Sequence, residues 1–367
     1  MKTVQLLIKP ASGHCNMRCT YCFYVEEMKQ REIENYGMMT IETLSSILEK
    51  VFLPTISACS IAFQGGEPTL VGLEFYKNFI RLVDEKNCYD CNMQFAIQTN
   101  GYALTKEWVQ FFKKHDFLVG ISLDGIEECH NQHRVDSKGD GTFQRVLHTI
   151  ALLKQYEVKY NVLTVINATT VQYANRIYNF YKRNNIRYQQ YIELVNPAES
   201  TQYLEEKLTP EIYGQFLIAL FKKWYRDLIN REYVSILYFE DLMDILCGYM
   251  PTSCTMCGIC GSSLVVEADG SVYPCDFYVL DEWKLGNFKT DSLKEMRRVV
   301  QDKRFVEMSQ SVPNECQRCK WYFLCRNGCR KNCEPVTQNQ RGVNYYCKGY
   351  QMFFEYAYPY MQQLKRT

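Results

Sequence analysis

The first 200 residues alternate between two hydrophobic periods. Apolar stretches of strand character, each ending in polar residues, are separated by segments of helical period. The strand segments are VQLLIKPAS, SIAFQGGEP, MQFAIQTNG, FLVGISLDG, YNVLTVIN and YQQYIELVN, and the helical segments include TIETLSSILEKVF and FQRVLHTIALLKQY. Such repeats predict an α/β fold with a parallel barrel of about six strand–helix units, whose polar strand ends form a ligand-binding rim.

The pattern changes in the second half of the chain. A helical segment from about 209 to 245 is followed by VVEADGSVYPCDFY, which predicts a hairpin with an Asp-Gly turn, and then by a cysteine-rich tail. We therefore predict a barrel domain at 1–235 and a cysteine-rich domain with a C-terminal helix at 236–367.

Charge and hydropathy exclude several classes of partner. With 42 basic and 41 acidic residues, the net charge of +1 predicts no binding surface for nucleic acid or for an anionic membrane. No uncharged apolar run reaches the roughly 18 residues that a membrane helix requires. The N-terminal apolar run is short and lacks a cleavage site, so it indicates a first strand and not a signal peptide. We expect a cytoplasmic protein.

Eighteen cysteines point to metal, because a reducing cytosol keeps structural disulfides rare. Three lie within residues 15–22 and ten within residues 254–347, so the chain has two cysteine centres. Of the other five, Cys59 and Cys247 have apolar neighbours in sequence and are expected in the core.

The first centre is HCNMRCTYCFY, in which Cys15, Cys19 and Cys22 form a C-x3-C-x2-C motif. A zinc site built only from cysteines normally uses four. Three thiolates on a [4Fe–4S] cluster leave one iron open to the amine and carboxylate of S-adenosylmethionine. The alternative is a structural zinc knuckle completed by a distant cysteine or by His14.

This motif, with Tyr21 before its last cysteine, resembles the signature of radical S-adenosylmethionine enzymes. The segment FQGGEP resembles the glycine-rich motif of that family. The resemblance implies that the backbone at Gly65 and Gly66 approaches the amino group of the cofactor and that Glu67 accepts a hydrogen bond from it. It also implies a partial (β/α)6 barrel.

Three further positions match the family near the cofactor. Ser122 in ISLDG and Arg134 in HNQHR correspond to residues that hold the methionyl carboxylate, a role suited to a hydroxyl and a guanidinium fork. Val165 corresponds to a position along the cofactor. Alternatively, Ser122 only caps the end of its strand and Arg134 is a solvated surface charge.

The second centre contains CQRCKWYFLCRNGC, with the spacing C-x2-C-x5-C-x3-C, and resembles the SPASM auxiliary-cluster domain. The resemblance implies two further [4Fe–4S] clusters, three in all. The first would be held by Cys254, Cys260, Cys275 and Cys329, and the second by Cys316, Cys319, Cys325 and Cys347. Cys257, a rival to Cys254, and Cys333 are surplus to this pattern. A pair of zinc ribbons is the alternative.

Nearly the whole chain resembles the anaerobic sulfatase-maturating enzymes, as in AFQGGEP and VVEADGSVYPCDFYVLD. The resemblance implies radical oxidation of a cysteine or serine, in an unfolded or nascent sulfatase polypeptide, to Cα-formylglycine. Asp276 matches the proposed catalytic base, and Tyr24 and Gln64 match positions near the substrate side chain. An electron donor such as flavodoxin or ferredoxin is implied as a partner.

Other interpretations remain open at this point. Asp276 could be a turn carboxylate, and Tyr24 and Gln64 could be rim packing. A SPASM peptide maturase that forms thioether or carbon–carbon crosslinks would share all the cluster thiols, although Asp276 and a chain that begins almost at its first strand favour formylglycine formation. A zinc-bearing interaction protein is the alternative outside enzymes.

Overall fold

The computed structural model describes residues 3–195, 208–261, 263–334, 336 and 341–365. Its strands are β1 (Thr3–Ile8), β2 (Ala58–Phe63), β3 (Asn92–Thr99), β4 (Leu118–Ser122), β5 (Tyr160–Ile166), β6 (Tyr188–Glu193), β7 (Ser235–Ile236), β8 (Leu264–Val266), β9 (Ser271–Tyr273) and β10 (Gly286–Asn287).

The α-helices of the described residues range from one turn to about five turns. They are α1 (Phe23–Lys29), α2 (Ile41–Val51), α3 (Leu73–Lys86), α4 (Lys106–Lys114), α5 (Glu127–His133), α6 (Phe143–Gln155), α7 (Ala174–Arg183), α8 (Pro210–Ile229), α9 (Leu237–Cys247), α10 (Cys254–Cys257), α11 (Leu293–Asp302), α12 (Phe305–Gln310), α13 (Asn314–Gln317), α14 (Tyr322–Cys325) and α15 (Cys347–Leu364).

The predicted alternation of strands and helices is confirmed. Each of the six predicted strand segments overlaps one of β1–β6, and the predicted helical segments contain α2, α6 and α8. The predicted hairpin is formed by β8 and β9, which pair antiparallel. Its turn includes Gly270 at φ +92°, a backbone conformation that glycine adopts without strain.

The chain divides into two compact units, of which the first comprises Met1–Ser122, Asn131–Tyr160 and Ser262–Arg304. Its strands lie in the order β10-β9-β8-β1-β2-β3-β4. The strands β8, β1, β2, β3 and β4 pair in parallel with one another in this order. Their carboxyl ends therefore lie at one edge, where side chains that follow different strands can meet.

The register at this edge places three polar residues side by side. Ile8 of β1 pairs with Phe63 of β2 and with Val266 of β8. The next residues along these strands are Lys9, Gln64 and Glu267.

Aromatic packing fixes the end of β2. The Phe63 side chain is fully buried, and its ring lies 4.9 Å from that of Tyr76 and 5.0 Å from that of Phe79. Both partners belong to α3, so the helix and the strand bury one shared apolar surface. The segment that follows Phe63 thus starts from a rigid support.

The second unit comprises Leu123–His130, Asn161–Gly261 and Phe305–Thr367. In it β5, β6 and β7 pair in parallel. Helices α8 and α15 pack so closely that a Cβ on Gly214 would lie 2.8 Å from the backbone of Gly349.

Two cysteines outside the cysteine centres were expected in the core. Cys59 is buried, as expected. Cys247 is exposed, because it lies on the last turn of α9, so the expectation for this residue was wrong.

The domain boundary predicted near residue 235 stays a prediction. Among the described residues, no helix has the length and apolar character needed to cross a membrane.

Candidate active site

The loop between β1 and α1 carries the three cysteines of the first centre. Three backbone hydrogen bonds connect this loop to other segments. Glu67 N donates to His14 O at 2.7 Å. Arg18 N donates to Val135 O at 2.7 Å, and Thr20 N donates to His133 O at 3.0 Å. The thiols of Cys15, Cys19 and Cys22 are partly buried. Backbone contacts with later segments therefore shape the loop.

Polar donors approach two of these sulfur atoms. Cys15 Sγ lies 3.4 Å from Met17 N and 3.7 Å from Asn100 Nδ2, and Arg134 Nη1 lies 3.9 Å from Cys19 Sγ. Donors of this kind favour thiolates, which are the ligands of iron–sulfur clusters. No three Cys, His, Asp or Glu side chains of the described residues are arranged to hold a single metal ion. The thiolates of a cluster bind separate iron atoms, so they need not converge on one point.

The two glycines of FQGGEP are required by close packing. A Cβ on Gly66 would lie 2.3 Å from His14 O, and one on Gly65 would lie 2.6 Å from Lys9 Cγ. Both residues also have positive φ angles, +97° at Gly65 and +54° at Gly66, which suit glycine. The predicted approach of their backbone to the cofactor stays a prediction.

Glu67 is fully buried and ties the end of β2 to β3. Its Oε1 accepts from Thr69 N and Oγ1 and from Thr99 Oγ1 at 2.6 to 3.0 Å, and its Oε2 accepts from Asn100 N at 2.8 Å. Burial raises the pKa of Glu67, and these hydrogen bonds partly oppose the shift. Its predicted bond to the cofactor ammonium stays a prediction.

Of the other predicted cofactor residues, Ser122 and Val165 lie at or near strand ends, and Arg134 directly follows α5. Ser122 Oγ accepts from Gln98 Nε2 at 3.1 Å. The guanidinium of Arg134 lies 5.4 Å from the centre of the Tyr21 ring, and Arg134 is only 7% exposed, which argues against a solvated surface charge. Val165, which lies in the second unit, donates its backbone N–H to Asp124 Oδ1 at 3.0 Å. Their contacts with the cofactor stay predictions.

The side chains of Tyr24, Gln64 and Asp276 are hydrogen-bonded to one another, and their predicted roles toward a substrate stay predictions. Tyr24 Oη donates to Asp276 Oδ2 at 2.6 Å, and Gln64 Nε2 lies 2.9 Å from Tyr24 Oη and 3.0 Å from the same Oδ2. The other oxygen, Asp276 Oδ1, is buried and accepts no hydrogen bond from any described residue. One oxygen of the carboxylate is therefore held in place, and the other is available to a substrate proton.

A buried charge network beside these residues was missed by the sequence analysis. Lys9 Nζ lies 2.9 Å from Glu267 Oε1 and 3.7 Å from Glu27 Oε2, and Arg31 Nη1 lies 2.7 Å from Glu267 Oε1. All four residues are at most 7% exposed. A signal was present in VQLLIKP, where a charged residue directly follows a buried strand.

Burial raises the pKa of three acidic groups in this region. It raises the pKa of Asp276 and raises that of Glu27 to about 8, and in both cases the charge of Lys9 opposes the shift. Burial also raises the pKa of Tyr24 well above its ordinary value, and the neighbouring Asp276 adds to this. Tyr24 is therefore a neutral donor to the carboxylate.

The predicted auxiliary ligands are distributed between the units. Cys254, Cys260 and Cys329 lie in the second unit and affect one another's charge, whereas Cys275 lies in the first unit. The other four thiols also lie close together in the second unit; they are Cys316, Cys319, Cys325 and Cys347. Both ligand sets stay predictions.

The two surplus thiols donate to nearby backbone carbonyls. Cys333 Sγ lies 3.0 Å from Asn327 O and 3.1 Å from Cys329 O, and Cys257 Sγ lies 3.6 Å from Ser253 O.

Two family models match the chain. The model described as the radical SAM superfamily matches residues 10–181, and the SPASM model, described as an iron-sulfur cluster-binding domain, matches residues 257–320. The first contains the cysteine loop and the glycine-rich segment, and the second contains Asp276.

Similar proteins cover almost the entire length. A cysteine-type anaerobic sulfatase-maturating enzyme of Clostridium novyi is 44% identical over 97% of this chain and 95% of its own. A serine-type anaerobic sulfatase-maturating enzyme of Bacteroides thetaiotaomicron is 31% identical over 100% of this chain and 92% of its own. The solved structure of native anSMEcpe with bound AdoMet and Cp18Cys peptide matches with a TM-score of 0.94 and 39% identity, covering 99% of both chains.

These matches confirm the predicted fold class, a radical SAM barrel followed by a SPASM domain. The sequence identity over nearly the full length also assigns the chain to a family. The chain belongs to the anaerobic sulfatase-maturating enzymes.

Proposed function

We propose that this enzyme oxidises a cysteine of a sulfatase polypeptide to Cα-formylglycine and prefers cysteine to serine. The observation that carries the proposal is the buried oxygen Oδ1 of Asp276, which is available while Tyr24 and Gln64 hold Oδ2. The preference is supported by the higher identity to the cysteine-type relative, 44%, than to the serine-type relative, 31%.

The residues of the first centre fit the cofactors of this family. S-adenosylmethionine, bound at a [4Fe–4S] cluster on Cys15, Cys19 and Cys22, supplies the radical that takes one hydrogen atom from the substrate Cβ. Arg134 and Ser122 hold the cofactor carboxylate in this proposal, and the close contact of Gly66 with His14 O keeps the cysteine loop beside the glycine-rich segment.

The substrate side chain must lose more than its Cβ hydrogen. A CH2SH group becomes a thioaldehyde by losing that hydrogen atom, the S–H proton and one further electron, and water then gives the aldehyde and hydrogen sulfide. Asp276 accepts the proton at Oδ1, while Tyr24 and Gln64 keep the carboxylate oriented. The eight cysteines predicted as auxiliary ligands would hold the clusters that accept this electron.

The surroundings of Asp276 limit the access of water. The ring of Phe23 lies 4.8 Å from that of Phe277, the residue after Asp276, and 4.1 Å from that of Tyr24. Apolar rings beside a reactive carbon protect it from competing proton and hydrogen donors.

The proposed partners follow from the same chemistry. The substrate is an unfolded or nascent sulfatase polypeptide, because the reacting side chain must reach the buried Oδ1 of Asp276. Flavodoxin or ferredoxin provides the electrons, in the cytoplasm. The solved relative with a bound Cp18Cys peptide supports a peptide substrate.

The test uses two sulfatase-type peptides that differ only in cysteine or serine at the reacting position. Each is incubated anaerobically with the cluster-loaded enzyme, reductant and S-adenosylmethionine, and a peptide with alanine at that position is the control. Mass spectrometry should detect the aldehyde from both reactive peptides, with faster conversion of cysteine. Faster conversion of serine would contradict the preference, and a crosslinked product would contradict formylglycine formation.

A further inference from the structure

Lys9 contacts two of the segments that carry the Asp276 site. Its Nζ lies 4.7 Å from the centre of the Tyr24 ring. Its Cγ and Cε occupy the space above Gly65, where a Cβ would lie 2.6 and 2.7 Å from them, and Gly65 directly follows Gln64. The lysine side chain thus packs against one donor to Asp276, Tyr24, and against the residue that follows the other donor, Gln64.

Lys9 also reaches the third segment through Glu27. Its Nζ lies 3.7 Å from Glu27 Oε2, and Glu27 Oε1 accepts from Val279 N at 2.7 Å. Val279 ends the short 3₁₀ turn Asp276–Tyr278. Glu27 therefore links the ammonium of Lys9 to the backbone of the turn that carries Asp276.

Lys9 is one of two buried cations beside Glu267. Glu267 already has a buried partner in Arg31, whose Nη1 lies 2.7 Å from Glu267 Oε1. Burial would lower the pKa of Lys9, but Glu267 and Glu27 raise it, so the ammonium is charged although Lys9 is only 1% exposed. A buried charge is costly unless its partners compensate for it. Besides Glu267, this ammonium faces Glu27 and the face of the Tyr24 ring, and the charge of Asp276 also raises its pKa.

We propose that Lys9 is a positioning residue for proton transfer to Asp276. It fixes the Tyr24 ring, the Gln64–Gly65 segment and, through Glu27, the turn of Asp276 relative to one another. This inference rests on the proposed function, in which Asp276 accepts the proton of the substrate. A loss of this positioning leaves hydrogen abstraction possible and impairs the step that follows.

The test compares Lys9→Met with the wild type in cluster-loaded enzyme. Methionine keeps the apolar part of the side chain and removes the charge. We expect iron content and affinity for the peptide, measured without S-adenosylmethionine, to be unchanged. The ratio of aldehyde to 5′-deoxyadenosine should fall by about 10²-fold, the cost typical of a misplacement of about 1 Å. A purely structural role would instead lower iron content, peptide affinity and both products together.

Two further variants make the result decisive. Lys222→Met removes an exposed lysine whose Nζ lies 4.9 Å from the centre of the Tyr356 ring, and it should leave the product ratio unchanged. In Lys9→Met combined with Glu27→Gln, the amide oxygen at position 27 can still accept from Val279 N, and this position carries no charge at any pH. This double variant should stay impaired.

Three outcomes would overturn the inference: a normal product ratio in Lys9→Met, a proportional loss of iron and both products, or recovery of aldehyde in the double variant. The last would show that Lys9 only neutralises Glu27. Failure of the proposed function is distinguishable, because the wild type itself would then form no aldehyde.

Discussion

The two oxygens of the Asp276 carboxylate have different environments. Oδ2 receives two hydrogen bonds, from Tyr24 and Gln64, whereas Oδ1 is buried without a donor among the described residues. A buried acceptor without a hydrogen-bond donor costs free energy unless a substrate group donates to it. This asymmetry is the residue-scale reason for assigning proton acceptance to Oδ1.

Substitution of Asp276 by asparagine should separate radical formation from aldehyde formation. Asparagine keeps the size and polarity of the side chain but cannot accept the substrate proton. We expect 5′-deoxyadenosine formation and iron content to persist, while the rate of aldehyde formation falls by about 10²- to 10⁴-fold. Anaerobic single-turnover assays with mass spectrometry measure both products.

Asp269→Asn is the matched control, because Asp269 is a turn carboxylate that accepts from Ser271 N and Oγ. It should leave aldehyde formation unchanged. If Asp276 only braces the turn beside Cys275, iron and aldehyde will decrease together in Asp276→Asn. A full aldehyde yield would exclude both roles.

The family resemblance assigned Asp276 to the base and Tyr24 and Gln64 to positions near the substrate side chain, but it did not specify the hydrogen bonds among them. It did not predict the partners of Lys9. Glu27 and Glu267 come from α1 and from the end of β8, so their meeting with Lys9 depends on strand order and register, which local patterns do not specify.

At the scale of elements, parallel pairing in register explains how the first unit assembles its site. The apolar runs predicted β1 to β4, and the polar residues after these strands predicted a ligand-binding rim, whereas the two-residue strand β10 was not predicted. Pairing β8 beside β1 could not be predicted from the pattern, because the two strands are separated by more than 250 residues. This pairing places the turn of Asp276 in the same unit as the cysteine loop.

The contact between the glycine-rich segment and the cysteine loop gives an element-scale prediction. In Gly66→Ala the new Cβ would lie 2.3 Å from His14 O, so the loop must shift. We expect the iron content of the reconstituted enzyme to fall by roughly a third, the share of one [4Fe–4S] cluster among three. Iron and sulfide quantification measures this loss.

Gly72→Ala is the control for backbone conformation. Gly72 also has a positive φ, +88°, but a Cβ there would meet no atom within 4 Å. This variant should keep its iron. Equal iron content in Gly66→Ala and the wild type would show that the contact does not organise the cluster loop.

At the scale of the whole molecule, the family models and the predicted ligand sets agree on a radical centre and an iron–sulfur domain. The sequence was sufficient for the family because the cysteine spacings are specific. It was not sufficient for the ligand sets. Cys254, Cys260 and Cys329 lie in one compact unit and Cys275 in the other, and the spacing alone left Cys257 as a rival to Cys254.

The central claim is that this enzyme takes a hydrogen atom from the Cβ of a cysteine side chain and completes its oxidation to an aldehyde. The most direct measurement uses a sulfatase-type peptide whose reacting cysteine carries two deuterium atoms at Cβ. We predict one deuterium in 5′-deoxyadenosine for each aldehyde formed, with the other deuterium retained on the aldehyde carbon. Aldehyde formation with unlabelled 5′-deoxyadenosine, or label transfer by the wild type without any aldehyde, would contradict the account.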